Sequence, residues 1–338
     1  MMEKENGLEA VWRKSNQKED ADNATKVLQR FIDINPYTFE EVAQVIRAGV
    51  RSGELALEKK GRSYCITDLL DWFRMRVQPA TVTLDKDDYM VALLNSLVVL
   101  TQGNIAKTDF GGSRQREFGQ MWTDFLRGYL GEIAIRIFLR KHFGIEVQLD
   151  QSKTGAGVEK YLPTDIVKIK KEGKWVDVKH TLSIKTSKLR SLWLGVPGNQ
   201  IDNSDAFAYV KIGIPLDHLA TLLKEVGAIE QIFEYKDKTD IEATVEEIKN
   251  KIPSFKPIPA YLPGYIYRND LKSGELELHR AEKYLYIIGG AGKQPEDAPE
   301  GFSGIKVEGL GEASEEYLAS CGSLKCSTDE WKEIIARF

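Results

Sequence analysis

One stretch, Tyr161 to Lys179, constrains the chain more than any other. It reads YLPTDIVKIKKEGKWVDVK. Thr164 to Lys170 alternates as a half-buried strand does. Lys171-Glu-Gly-Lys174 supplies a glycine-containing turn, and Trp175 to Lys179 alternates again. The simplest reading is a β-hairpin with Asp165 on one strand and Asp177 and Lys179 on the other. Residues two apart on a strand share a face, so Asp177 and Lys179 project together. Pairing through the Gly173 turn would bring Asp165 close to them.

Two carboxylates and a lysine on one sheet face form a chemical set. Hard oxygen ligands hold Mg²⁺, which keeps several waters and takes one or two protein carboxylates plus substrate phosphate. Such an ion polarises a phosphoryl oxygen and lowers the pKa of a bound water. A lysine beside it orients or deprotonates that water and offsets charge in the transition state. A D-x-K tripeptide alone is common on solvated hairpins, so its context decides.

Upstream, Leu130, Ile133, Ala134, Ile137 and Phe138 follow helical spacing, with Glu132 beside the apolar face and Gly144 as the stop. Ile145 to Asp150 reads as a strand, followed by a Gly-rich loop, then the hairpin, then an apolar strand over Asp205 to Ile212. A helix with Gly-x-x-Gly-Glu, a strand, Pro-(x)-Asp, Asp-x-Lys and a closing strand together resemble the PD-(D/E)xK nuclease superfamily over about Phe125 to Ile214. That is the core of many restriction endonucleases, resolvases and repair nucleases. The resemblance implies an α/β, restriction-endonuclease-like fold, a mixed central sheet flanked by helices, and Mg²⁺-dependent hydrolysis of DNA phosphodiesters. Carried over by position, it implies Asp165 and Asp177 as metal ligands, Lys179 as the catalytic lysine and Glu132 as an auxiliary acid. Two departures stand out: Pro163-Thr-Asp165 replaces a contiguous Pro-Asp, and the middle acid is Asp177 where Glu is commoner.

The net charge of −4 and pI near 5.8 argue against a protein that coats nucleic acid without selectivity. Charge is segregated, however. Lys168, Lys170, Lys171, Lys174, Lys179, Lys185, Lys188 and Arg190 face only Glu172 and Asp177 within that segment. Phosphate contacts need such local density. Lys185, Lys188 and Arg190, spaced among hydroxyl residues, are the DNA-contact candidates, with Arg114 and Arg116 in a Gly-rich segment before the Glu132 helix. The longest apolar run, within 90–100, is interrupted by Asn95 and Ser96 and is too short to span a bilayer. The first residues lack the apolar core of a signal peptide, and three cysteines fit a reducing compartment. A cytoplasmic protein with no membrane association is expected. Cys321 and Cys326 have no second ligand pair nearby, and Gly289-Gly-Ala-Gly-Lys293 lacks phosphate-loop spacing.

Domains are expected over 1–79 and 80–338. The first holds helices over 24–34 and 38–52 and a hairpin with a basic Lys59-Lys-Gly-Arg62 tip, an order that resembles a winged helix-turn-helix. The first also holds a helix expected over 68–76; in the second, helices are expected over 85–102, 216–230 and 236–252, a proline-rich surface connection over 254–264, strands at 265–267 and 283–288, an irregular loop over 289–311 and a last helix capped by Ser327-Thr-Asp-Glu330. The expected function is sequence-specific endonucleolytic cleavage of double-stranded DNA, as in a type II restriction-modification system with a cognate DNA methyltransferase. Cutting both strands calls for a homodimer on a palindromic target. The rivals are a structure-specific repair or recombination nuclease and a catalytically inactive DNA-binding regulator.

Overall fold

The computed structural model describes residues 29, 32, 37–55, 57–60, 63–66, 69–101, 117–150, 164–238, 242–272, 278–281, 284–288, 304–307 and 316–338. Arg114, Arg116, Pro163, the 61–62 hairpin tip and most of the expected 24–34 helix lie outside these residues.

The chain is a mixed α/β protein built on a four-stranded mixed sheet packed against helices, with small antiparallel sheets around it. The main sheet runs β3 (Thr81–Leu84), β10 (Ile258–Tyr267), β9 (Ala206–Ile212), β7 (Leu182–Lys188). The first two pairings are antiparallel, and β9–β7 is parallel, with Leu182 opposite Ala206 and Lys188 opposite Ile212. β9 is buried along its whole length because both faces are covered. Ala206, Ala208, Val210 and Ile212 enter the main core, while Phe207 and Tyr209 enter a second core with Leu194, Val196, Ala319 and Leu324.

Helix α4 (Phe118–Phe143) lies on the first face. Leu126, Leu130, Ile133, Ala134 and Phe138 meet the sheet together with Trp331, Ile334 and Phe338. Gly131 sets the closeness of this packing: a Cβ there would overlap Thr186 Cγ2 on β7. Gly144, at φ 66°, ends α4 in the left-handed conformation that a glycine C-cap permits. α3 (Lys86–Thr101) packs alongside α4. The last helix, α9 (Thr328–Arg337), carries the expected capping box, with Ser327 and Glu330 bonding reciprocally.

Four expectations need correction. The proline-rich segment 254–264 is no surface connection; from Ile258 onward it is the central, buried strand β10. Its prolines fall where no ladder donor is needed. Pro259 faces the end of β9, where its carbonyl accepts from Gly213 N–H at 2.9 Å. Pro263 lies in the register irregularity between Tyr261 and Gly264. The helix expected over 216–230 is two, α5 (His218–Glu225) and α6 (Ala228–Phe233), separated at Gly227 with φ 72°. The one expected over 236–252 reduces to a short turn at Lys236–Lys238 and α7 (Val245–Lys251), which starts at a Thr244–Glu247 capping box. Within 289–311, Gly304–Val307 forms β13, paired with β12 (Tyr284–Ile288).

The N-terminal unit contains α1 (Phe39–Arg51), the antiparallel hairpin β1 (Leu57–Lys60) and β2 (Ser63–Ile66), and α2 (Leu69–Trp72), which continues as a π-turn to Val77. Its core, Val42, Val45, Ile46, Trp72 and Phe73, includes Leu189 and Tyr261 from the sheet side. A buried ionic cluster reinforces that seam. Glu54, whose side chain is fully buried, accepts from Tyr261 Oη at 2.6 Å and lies 3.3 Å from Arg76 Nε and 3.7 Å from Lys211 Nζ. Lys211 on β9 is only 1% exposed. Removing one partner of such a cluster leaves an uncompensated buried charge. Lys211→Ala should therefore lower unfolding free energy by about 3–5 kcal/mol in urea titration, whereas Lys249→Ala, on the surface of α7, should change it by less than about 0.5 kcal/mol.

A buried histidine adds a pH term. His218 Nδ1 lies 2.9 Å from Tyr89 Oη, and its Nε2 lies 3.1 Å from Thr123 Oγ1. Burial, with Arg127 nearby, pushes its pKa from 6.5 down to about 4. The folded state thus disfavours the proton. Stability from this site is complete above the unfolded value near 6.5 and is lost as pH falls towards 4. That loss should reach roughly 3 kcal/mol, and His218→Gln should flatten the unfolding free energy measured between pH 7 and 4.

Candidate active site at the junction of β5 and β7

The expected hairpin forms. β5 (Ile166–Lys171) pairs antiparallel with β6 (Lys174–Asp177) through Glu172 and Gly173, at φ 49° and 78°. Two positive φ values in succession are what a two-residue turn matching strand twist requires. β5 also pairs with β4 (Val147–Leu149). A register shift between Gln148 and Leu149 leaves Val167 as the extra residue, so Ile166 and Ile169 are both buried although three apart.

Asp165 lies just before β5, where three chain segments meet. Its N–H donates to Leu182 C=O at 3.0 Å, and its C=O accepts from Asp150 N–H at 2.9 Å. Its carboxylate Oδ2 accepts from Ser183 Oγ at 3.3 Å and from Ile184 N–H in a short bond. The neighbouring Thr164 hydroxyl, buried, donates to Ile166 C=O at 2.7 Å and accepts from Leu182 N–H at 3.2 Å. Asp165 is therefore fixed against the first turnings of β7, whose sequence there is Ser183-Ile-Lys185. Ile184 enters the main core. Ser183 and Lys185, two apart, share the opposite face. Lys185 Nζ donates to Gln200 Oε1 at 2.6 Å and sits 6.0 Å from the Phe207 ring. Glu132, 7% exposed, follows Gly131 on α4.

The register sets Asp177 away from Asp165. Asp177 pairs with Lys168, three residues into the hairpin from Asp165, which is roughly 10 Å along a strand. The Asp177 side chain is 85% exposed, and its carboxylate lies 3.8 Å from Lys168 Nζ. Lys179 is exposed, and its N–H donates to Phe338 C=O at 3.1 Å. Periodicity had no means of showing that the second strand breaks after Asp177 and resumes at Leu182. Only the resumed strand lies beside Asp165. Sequence reasoning thus passed over Ser183 and Asp150; the signal available was the alternation of Leu182 to Lys188, which it took as phosphate donors and not as a strand. Of the DNA-contact candidates, Lys188 and Arg190 lie at the far end of β7 and just beyond it, exposed. His180 stacks edge-on to Tyr267 at 5.8 Å, with Nδ1 3.7 Å from Asp205 Oδ2. Burial lowers its pKa despite that carboxylate.

Among the described residues no group of three or more His, Cys, Asp or Glu side chains is arranged to hold a metal ion. Mg²⁺ needs fewer, one or two carboxylates completed by water and phosphate. Asp150 and Asp165 offer hard oxygen donors on adjacent segments, which a backbone hydrogen bond joins. The exposed Asp177 does not fit as a ligand shared with Asp165. Comparison with protein-family models, with curated proteins and with solved structures finds no match.

The contrast between the two aspartates is measurable without any substrate. Asp165→Ala forfeits hydrogen bonds to Ser183 and Ile184 and should cost about 1.5–3 kcal/mol in urea unfolding. Asp177→Ala, losing one exposed ion pair, should cost less than about 1 kcal/mol.

Proposed function

We propose that this chain is a Mg²⁺-dependent nuclease of the PD-(D/E)xK, restriction-endonuclease kind that cuts double-stranded DNA at specific sequences. The observation that carries the reading is the fixed carboxylate of Asp165 against Ser183-Ile-Lys185, with Glu132 on the helix packed over the same strand. In this reading the site is shifted six residues along from the Asp177-x-Lys179 motif (Ser183 for Asp177, Lys185 for Lys179). Asp165, with Asp150, would hold the ion. Once bound, it would supply charge neutralisation at the phosphoryl oxygens and a more acidic water.

The remaining work falls to side chains. Lys185, held by Gln200, presents a cation to the scissile phosphate and orients the attacking water. Ser183 keeps the Asp165 carboxylate in place. Glu132, buried on α4, would be the auxiliary acid, on the Ile184 face of β7 and so across the strand from Lys185. Asp177 and Lys179 lie on the adjoining hairpin, with Lys179 among the cations available to phosphate. Cleavage of both strands calls for two such sites, hence a homodimer on a palindrome. A cognate methyltransferase would protect the host's DNA. The N-terminal helix and hairpin unit would serve target recognition.

One observation favours a second reading, a DNA-binding protein that does not cut: the residue of β7 beside Asp165 is Ser183, not a carboxylate. Incubation of the full chain with phage-length duplex DNA, in Mg²⁺ and in EDTA, separates the two. Discrete fragments that require Mg²⁺, fall at least 100-fold in rate in Asp165→Asn and in Lys185→Ala, and persist in Asp177→Ala are expected. Cutting that is lost in Asp177→Ala and kept in Lys185→Ala would move the site to the hairpin. A smear, or cutting of branched DNA only, would replace sequence specificity by structure specificity. Binding with no cleavage would establish the second reading.

A further inference from the structure

At the far end of β7 from Asp165, three cations converge where α4 crosses the strand. The register follows from Gly131, which is pressed against Thr186. Arg127 is one helical turn before Gly131 and Lys188 is two residues beyond Thr186, so both project from the same α4–β7 seam. Arg127 is 89% buried by its side-chain exposure of 11%, and one edge of its guanidinium is engaged: Nη1 donates to Asp124 Oδ1 at 2.9 Å. Its Nε is buried and has no hydrogen-bond partner. Arg190 lies two residues past the end of the strand, and both it and Lys188 are exposed. Lys188 has its pKa lowered by burial and then by the like charges of Arg127 and Arg190, with Asp124 acting the other way.

Three cations around one carboxylate leave the group under-neutralised. A largely buried guanidinium with an unused donor is costly to maintain unless an acceptor arrives. Arginine's fixed fork suits the oxygens of a phosphate, and lysine adds a mobile point charge. We propose that Arg127, Lys188 and Arg190 form an anion site that takes a phosphate group. The site is separate from the Asp165 junction, for Ser183 and Lys188 are five residues apart on a continuous strand, roughly 16 Å. That span corresponds to two or three phosphates along a nucleic-acid strand, so a backbone phosphate is the expected source. This source, though not the anion site itself, rests on the nucleic-acid reading.

The test uses the full chain in EDTA, which separates binding from cleavage. Affinity for a fluorescein-labelled 30-base-pair duplex is measured against salt for wild type, Lys188→Ala, Arg190→Ala, Arg127→Gln and the control Lys249→Ala. In parallel, inorganic phosphate is titrated against thermal unfolding at constant ionic strength. The exposed Lys188 and Arg190 variants guard against a fold defect in Arg127→Gln. The expected result is at least threefold weaker duplex binding for each of the three variants, with a slope of log K against log salt flatter by about 1 and no change in the control. Duplex binding unchanged, but a phosphate-induced rise in Tm that vanishes in Lys188→Ala, would support the anion site with a free oxyanion as its ligand. Neither effect in any variant would overturn the proposal. Because no arm uses Mg²⁺, a chain that binds through this cluster and never cuts would defeat the nuclease reading and leave the anion site standing.

Discussion

The arrangement depends on one close approach, that of α4 to the sheet at Gly131. Only a residue without a Cβ fits over Thr186. The alanines at 206 and 208 on β9 keep the neighbouring surface low. Once that point is fixed, the helix can neither rotate nor slide without driving side chains into β7, since packed interiors leave little slack. Everything on α4 with chemical character inherits its position from this contact. Glu132 is the next residue, and Arg127 lies one turn earlier. The seam also explains a helix that is apolar on more than one face: α4 touches α3, β3, β7 and β9, and its middle, 130–135, is buried without a break.

The second face of the sheet is held differently. There the N-terminal unit meets β9 and β10 through a buried cluster in which Glu54 serves Arg76, Lys211 and Tyr261 at once. Apolar packing alone would tolerate several registers between α1 and the sheet. A carboxylate that must satisfy three partners tolerates far fewer, because any displacement strands a buried charge. The aromatic rings of Tyr209 and Tyr261 lie 5.9 Å and 5.6 Å from Lys211 Nζ and complete its surroundings. The unit is therefore docked on the sheet with defined geometry rather than tethered to it.

Local signals carried much of this in the sequence. The α4 periodicity and its Gly144 stop, the β5–β6 turn, the apolar β9 and the Ser327 cap were all legible, because each depends on residues within a few positions of one another. What failed depends on distant partners. Pro257, Pro259 and Pro263 read as loop punctuation, yet a strand that is paired on both sides accommodates Pro259 at a ladder end and Pro263 at a bulge. Asp177 and Lys179 share a face as alternation says, but which strand stands opposite Asp165 is decided by the break at 178–181 and the parallel pairing of β7 with β9. No periodicity within the motif encodes that pairing. Asp165 and Lys185, both named from the sequence, meet at the junction because one sits at a strand start and the other two residues beyond Ser183 on β7.

The carboxylate of Asp165 has a second consequence. β7 is the last strand of the main sheet, and an edge strand offers its backbone donors to any chain that can align with them. Asp165 takes the Ile184 N–H for itself, and its own backbone takes the Leu182 carbonyl. The start of the edge is thereby closed by the same side chain that anchors the junction. Natural variation at this position would be felt first as self-association through an opened edge, in a protein whose remaining fold was intact.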